Sequence, residues 1–169
     1  MSMRKKVTLG VVLVGLTIIS SLTWYNIKYS MEFVPSFTVK SENSKNKLLI
    51  ATQGSTYKRS LVAGIIEQLK SRQIDITVID VSALSNVKLE EWTAVVILHT
   101  WESWRPQQDA MLFIHRNQNA DNTIVLSTSG QGDLKIDGVD AITSASNMAD
   151  VDKDVAEIIH RIDLLMPNN

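Results

Sequence analysis

The sequence predicts an α/β domain built on a doubly wound, five-stranded parallel sheet and preceded by one N-terminal transmembrane helix. Three observations carry this expectation. From Lys47 onward, apolar strand-like runs alternate with amphipathic helical ones, the pattern of βαβ units whose sheet is covered on both faces. The run Ala94-Val95-Val96-Ile97-Leu98 is unbroken, as a central parallel strand requires. Ahead of the domain, Val7 to Tyr25 is uncharged and dominated by Val, Leu and Ile, long enough to span a bilayer.

Arg4-Lys5-Lys6 precede the apolar run, and Trp24-Tyr25 close it where an aromatic belt would lie. The positive-inside rule then puts the N-terminus in the cytoplasm, so the expected location is the cytoplasmic (inner) membrane, single-pass, with the domain on the periplasmic side. A cleaved signal peptide would end in an Ala-x-Ala-like site, and Ser21-Leu22-Thr23 matches poorly. Residues 1–28 are therefore expected to be an uncleaved anchor. Residues 29–46 contain Pro35 and scattered Ser and Lys without a sustained period, which reads as a linker. The domain is 47–169.

Its first strand is Leu48 to Ala51, followed by a helix from about Tyr57 to Ser71 with Leu61, Val62, Ile65, Ile66 and Leu69 at helical spacing. The second strand is Ile74 to Val81, and a segment with Leu84, Val87 and Leu89 has room for a turn or two of helix. The third strand is Thr93 to Leu98. Pro106 suits the first position of the next helix, whose Ala110, Phe113 and Ile114 would face the sheet. Thr123 to Leu126 is the fourth strand and Ala141-Ile142 marks a short fifth. The last helix covers about Ala149 to Met166, with Val151, Val155, Ile158, Ile159, Ile162 and Leu165 on one stripe. Residues 127–138 leave no room for a helix, so the fourth crossover is shortened.

Composition narrows the function. A net charge of −1 over 169 residues gives no basic face for nucleic acid. The absence of cysteine excludes disulfides, thiolate catalysis and lipid attachment through Cys. His99, His115 and His160 fall on separate elements without metal-ligand spacing, so neither a metal site nor a catalytic residue is predicted.

The richest segment is Thr52-Gln53-Gly54-Ser55-Thr56-Tyr57, where a buried strand empties into a small, hydroxyl-rich loop that opens a helix. Orphan amides and the helix dipole there favour an anion. The loop resembles the FMN-phosphate loop of flavodoxins, [ST]-x-T-G-x-T, with Gln53 where a second Thr is common. The resemblance covers about residues 47–166. It implies a flavodoxin-like strand order 2-1-3-4-5, with the ligand at the switch point where loops 52–57, 99–106 and 127–133 converge. By the same resemblance FMN is the cofactor. Thr52 to Tyr57 would hold its phosphate, Thr100 and Trp101 or Trp104 would meet the ring, and Ser129, Gly130, Gly132 and Asp133 would meet the pyrimidine edge.

The function so implied is FMN-dependent electron transfer at the membrane, with a redox protein or quinone as partner. The alternative is a flavin-free flavodoxin-like module that binds a protein or a small anion at the membrane surface. Asp140-Ala141-Ile142-Thr143-Ser144-Ala145-Ser146 resembles the D-x-x-[ST]-G-A-[ST] attachment motif of periplasmic FMN-binding domains, with Ser144 in place of Gly. The simpler reading ends the fifth strand there, with Ser146 or Asn147 capping the last helix. A response-regulator aspartate after the third strand, a phosphatase cysteine and a Gly-x-Ser-x-Gly elbow are all missing.

Overall fold

The computed structural model describes residues 3–29 and 31–166, with side chains of the first helix described at residues 5, 8 and 10–24. The chain divides into two compact units, Met1–Met31 and Glu32–Asn169.

The first unit holds α1, Met3–Tyr29. Among the described residues, no helix is long and apolar enough to cross a membrane. This corrects the expected transmembrane helix and the single-pass inner-membrane location that rested on it. The described side chains at 10–24 include Gly10, Gly15, Thr17, Ser20, Ser21 and Thr23, which dilute the apolar character of the helix. The flanking side chains used for orientation, Arg4, Lys6, Tyr25 and Lys28, lie outside the described residues.

The second unit is α/β, but its sheet is mixed, which corrects the expected all-parallel, five-stranded arrangement. Among the described residues seven strands are present: β1 (Phe37–Val39), β2 (Asn46–Thr52), β3 (Ile74–Asp80), β4 (Ala94–Glu102), β5 (Arg105–Pro106), β6 (Thr123–Thr128) and β7 (Ala141–Ser144). Their order is β1-β3-β2-β4-β6-β7, with β5 attached to β4. β1 runs antiparallel to β3 and β5 antiparallel to β4, whereas the remaining pairs are parallel. Within residues 29–46, expected to be a linker, β1 forms; three residues are too few to show a period. Phe37–Val39 nonetheless covers the open edge of β3, and Ser41 N–H anchors the segment to Asp75 Oδ1 at 2.9 Å.

Alternation along β4 assigns the two faces. Ala94, Val96 and Leu98 pack with α2 (Thr56–Leu69) and α4 (Val151–Leu165), while Val95 and Ile97 pack with α3 (Gln108–Arg116) and Ile136. Helix α3 opens later than expected: Pro106 belongs to β5, and the Gln107 side chain accepts from Ala110 N–H at 2.6 Å to cap the helix. Two 3₁₀ turns, Val81–Asn86 and Leu89–Glu91, form the β3–β4 crossover. Between β6 and β7 there is no helix, and buried Ile136 helps cover the sheet there.

Helices α2 and α4 meet at Gly64, where a Cβ would lie 2.8 Å from Val155 Cγ2. Valine is stiff at χ1, so little can yield. Gly64→Val should lower the unfolding free energy by about 1–3 kcal/mol through overpacking, measured by urea denaturation. An unchanged midpoint would mean that the helices do not approach at this position.

Candidate functional site

The strand order changes direction between β2 and β4, and the loops after their carboxyl ends, with that after β6, form the edge where doubly wound sheets hold ligands.

The loop after β2 is already engaged. Gly54 N–H donates to Glu32 O at 2.8 Å, and Glu32 N–H donates back to Gly54 O at 3.2 Å. A Cβ at Gly54 would sit 2.3 Å from Glu32 O, so this glycine gives close approach to the chain's own backbone. Arg59 clamps the same segment through Glu32 at 2.9 Å. Ser55 caps α2 by accepting from Lys58 N–H at 3.2 Å. Thr52 is buried and donates to Gln53 O at 3.3 Å. Tyr57 points away from the loop: its hydroxyl donates to Asp154 Oδ2 and lies 2.7 Å from Ser144 Oγ. Burial, and then Asp154, raises its pKa.

Lys58 is the residue the loop motif does not include. It occupies the third position of α2 and is 1% exposed, with Nζ donating to Thr100 Oγ1. Thr100 Oγ1 lies 2.9 Å from Thr128 Oγ1, and Thr128 Oγ1 donates to His99 O at 3.2 Å. Thr100 N–H is taken by Gln53 Oε1 at 2.7 Å. Thus an amine, a hydroxyl and a primary amide converge on Thr100. Among the described residues no carboxylate forms an ion pair with Lys58. Glu102 attracts the ammonium from longer range. Burial outweighs that attraction and lowers the Lys58 pKa to about 8. His99 is wholly buried, and among the described residues neither ring nitrogen has a hydrogen-bond partner. Its pKa falls to about 4, through burial first and then the nearby Lys58 charge. Sequence held a signal for Lys58: it stands three, four and seven residues before Leu61, Val62 and Ile65, on the apolar face of α2.

The segment expected as a loop over 99–106 is largely strand. β4 continues to Glu102 and turns at Ser103 and Trp104, whose φ values are 49° and 63°, to pair Glu102 with Arg105 and Trp101 with Pro106. Two positive φ values at the centre of a two-residue connection mark a type I′-like hairpin, a position that favours Asn-Gly. The tryptophans separate. Trp101 is half-buried against the α3-side core and donates Nε1–H to Ser127 Oγ at 2.9 Å, whereas Trp104 is 84% exposed.

The third loop winds on itself. Ser129 Oγ accepts from Gly132 N–H at 2.9 Å and Asp133 N–H at 3.2 Å, and it lies 3.4 Å from Asp133 Oδ1. Gly132, at φ 74°, would place a Cβ 2.5 Å from Ala145 N; Gly130 borders open space. In the segment 140–146, Ser144 is buried in β7 beside Thr128, and Asn147 caps the short 3₁₀ turn ahead of α4. A cavity of about 570 Å³ lies away from this edge, lined by Asn117, Thr123, Asp140, Arg161 and Leu165.

No protein-family model matches the chain, and no curated protein matches it in sequence.

The lowered Lys58 pKa has a measurable sign. Below about pH 8 the folded protein carries a desolvated ammonium; between pH 8 and 10.5 the unfolded chain still holds a proton that the folded chain has lost. Stability should therefore rise with pH across this window relative to Lys58→Met, by on the order of 3 kcal/mol at most. Parallel pH profiles for the two proteins in phosphate-free buffer would contradict the burial of this charge.

Proposed function

We propose that the chain is a flavin-free α/β interaction module that engages a protein partner through the β4–β5 hairpin, with Trp104 as its anchor. The single observation that carries the reading is Trp104 itself, 84% exposed on a turn with positive φ at both central residues. Non-glycine residues in that conformation cost on the order of 1 kcal/mol each, and a large exposed indole gains nothing in the monomer. Tryptophan is the residue most often found to dominate an interface.

FMN-dependent electron transfer, with a redox protein or quinone as partner, is the competing reading. In its favour, the first turn of α2 carries no acidic residue to repel a phosphate. The groups it would use fit poorly as they stand: Gly54 N–H is paired with Glu32, Trp101 with Ser127, and the Ser129 hydroxyl with its own loop.

Two measurements separate these readings. Titration of FMN with the protein should leave flavin fluorescence unquenched, and stoichiometric quenching would instead establish the flavin reading. Replacing Ser103-Trp104 by Asn-Gly should raise the unfolding free energy by about 1 kcal/mol or more and abolish recovery of the partner that the parent captures. Equal recovery by both proteins would overturn the assignment of the hairpin.

A further inference from the structure

We propose that Lys58, the Thr100 N–H and the hydroxyls of Thr100 and Thr128 form a binding site for a small oxyanion, a carboxylate or inorganic phosphate, whose place the Gln53 side-chain oxygen holds in the free protein. The site is separate from the hairpin and does not depend on the reading given to it.

The inference starts from an imbalance. An ammonium has three donors, and among the described residues the one hydrogen bond from Lys58 Nζ goes to a neutral hydroxyl, Thr100 Oγ1. At 1% exposure water cannot supply the rest of its solvation. A buried charge without a counter-charge is among the costliest arrangements in a protein interior. Among the described residues no anion contacts Lys58. Lys58 lies in the first turn of α2, where the helix dipole is positive and no acidic side chain occurs. Glu102, the carboxylate that attracts Lys58, forms no ion pair with it.

The donors around this imbalance converge. Gln53 Oε1 occupies Thr100 N–H at 2.7 Å, while Lys58 reaches the same residue through its hydroxyl. Thr128 Oγ1, 2.9 Å from Thr100 Oγ1, adds a second hydroxyl. An oxyanion that displaced the Gln53 amide would recover the Thr100 N–H bond and gain the ammonium. Gln53, Lys58 and Thr128 are all buried, so the ligand is small, of the size of the amide group it displaces. The same donors suit a planar carboxylate and a tetrahedral phosphate, so the probes must distinguish them.

The test uses the full chain with inorganic phosphate and acetate as probes, and sodium chloride at matched ionic strength as the control. Binding is read from the Thr100 amide resonance and the melting temperature. One of the two anions should shift the Thr100 amide saturably and raise the melting temperature, and Lys58→Met should abolish both responses. Gln53→Glu supplies a carboxylate from within. It should raise the melting temperature in the parent, lower it in the Lys58→Met background and remove the response to the added anion. Responses that persist in Lys58→Met would mean an adventitious surface ion only. A Gln53→Glu effect of the same sign and size in both backgrounds would overturn the site even where neither probe binds.

Discussion

The carboxyl edge of the sheet is organised by one constraint: the amine of Lys58 is buried beneath it and must be satisfied by groups the strands bring within reach. Thr100 meets that need because parallel pairing of β4 with β6 puts it beside Thr128, on the face covered by α2. The two hydroxyls then relay the lysine's hydrogen bond to the His99 carbonyl. The Gln53 amide takes the one backbone donor left on Thr100. Burial of the amine also bears on His99, whose own burial already favours the neutral imidazole and whose neighbour adds repulsion to any charge placed there.

This edge is closed by the chain's own atoms. Glu32 pairs with Gly54 from one side, and the Val34 N–H to Asp80 Oδ2 bond, 3.0 Å, fixes the same segment nearby. Ser129 gathers its loop, and Ser127 joins Trp101 to the Leu134 carbonyl at 2.7 Å. What faces outward is the hairpin tip. Closure at the ligand edge and exposure of an indole beyond it are complementary consequences of β4 running on past the core to Glu102.

Much of the second unit could be read from apolar runs. Leu48–Ala51, Ala94–Leu98 and Ile124–Leu126 are strand segments buried on both faces, whereas Ile74–Asp80 alternates buried with partly buried side chains. The helix stripes at Leu61–Leu69 and Val155–Ile162 face the core. The mixed sheet was not legible because β1 and β5 are short strands fixed by edge pairing, which leaves no periodic trace. The hairpin was hidden by its turn chemistry, since Ser-Trp replaces the Asn-Gly that would have announced it. The apolar run near the N-terminus is helical over Met3–Tyr29, yet among the described residues no helix meets the length and apolarity of a membrane span. At the site, the loop motif drew attention to Thr52–Tyr57, whereas the unbalanced charge sits one residue later on a face that reads as core.

The most direct test of a self-closed edge is hydrogen exchange at two backbone amides, Gly54 and Thr100, in the free full-length protein. Each has an internal acceptor, Glu32 O for Gly54 and Gln53 Oε1 for Thr100. Slow exchange at both, comparable with the ladder amides of β2 and β4, is the expected result. Exchange at the rate of an open loop would contradict closure of the edge from within.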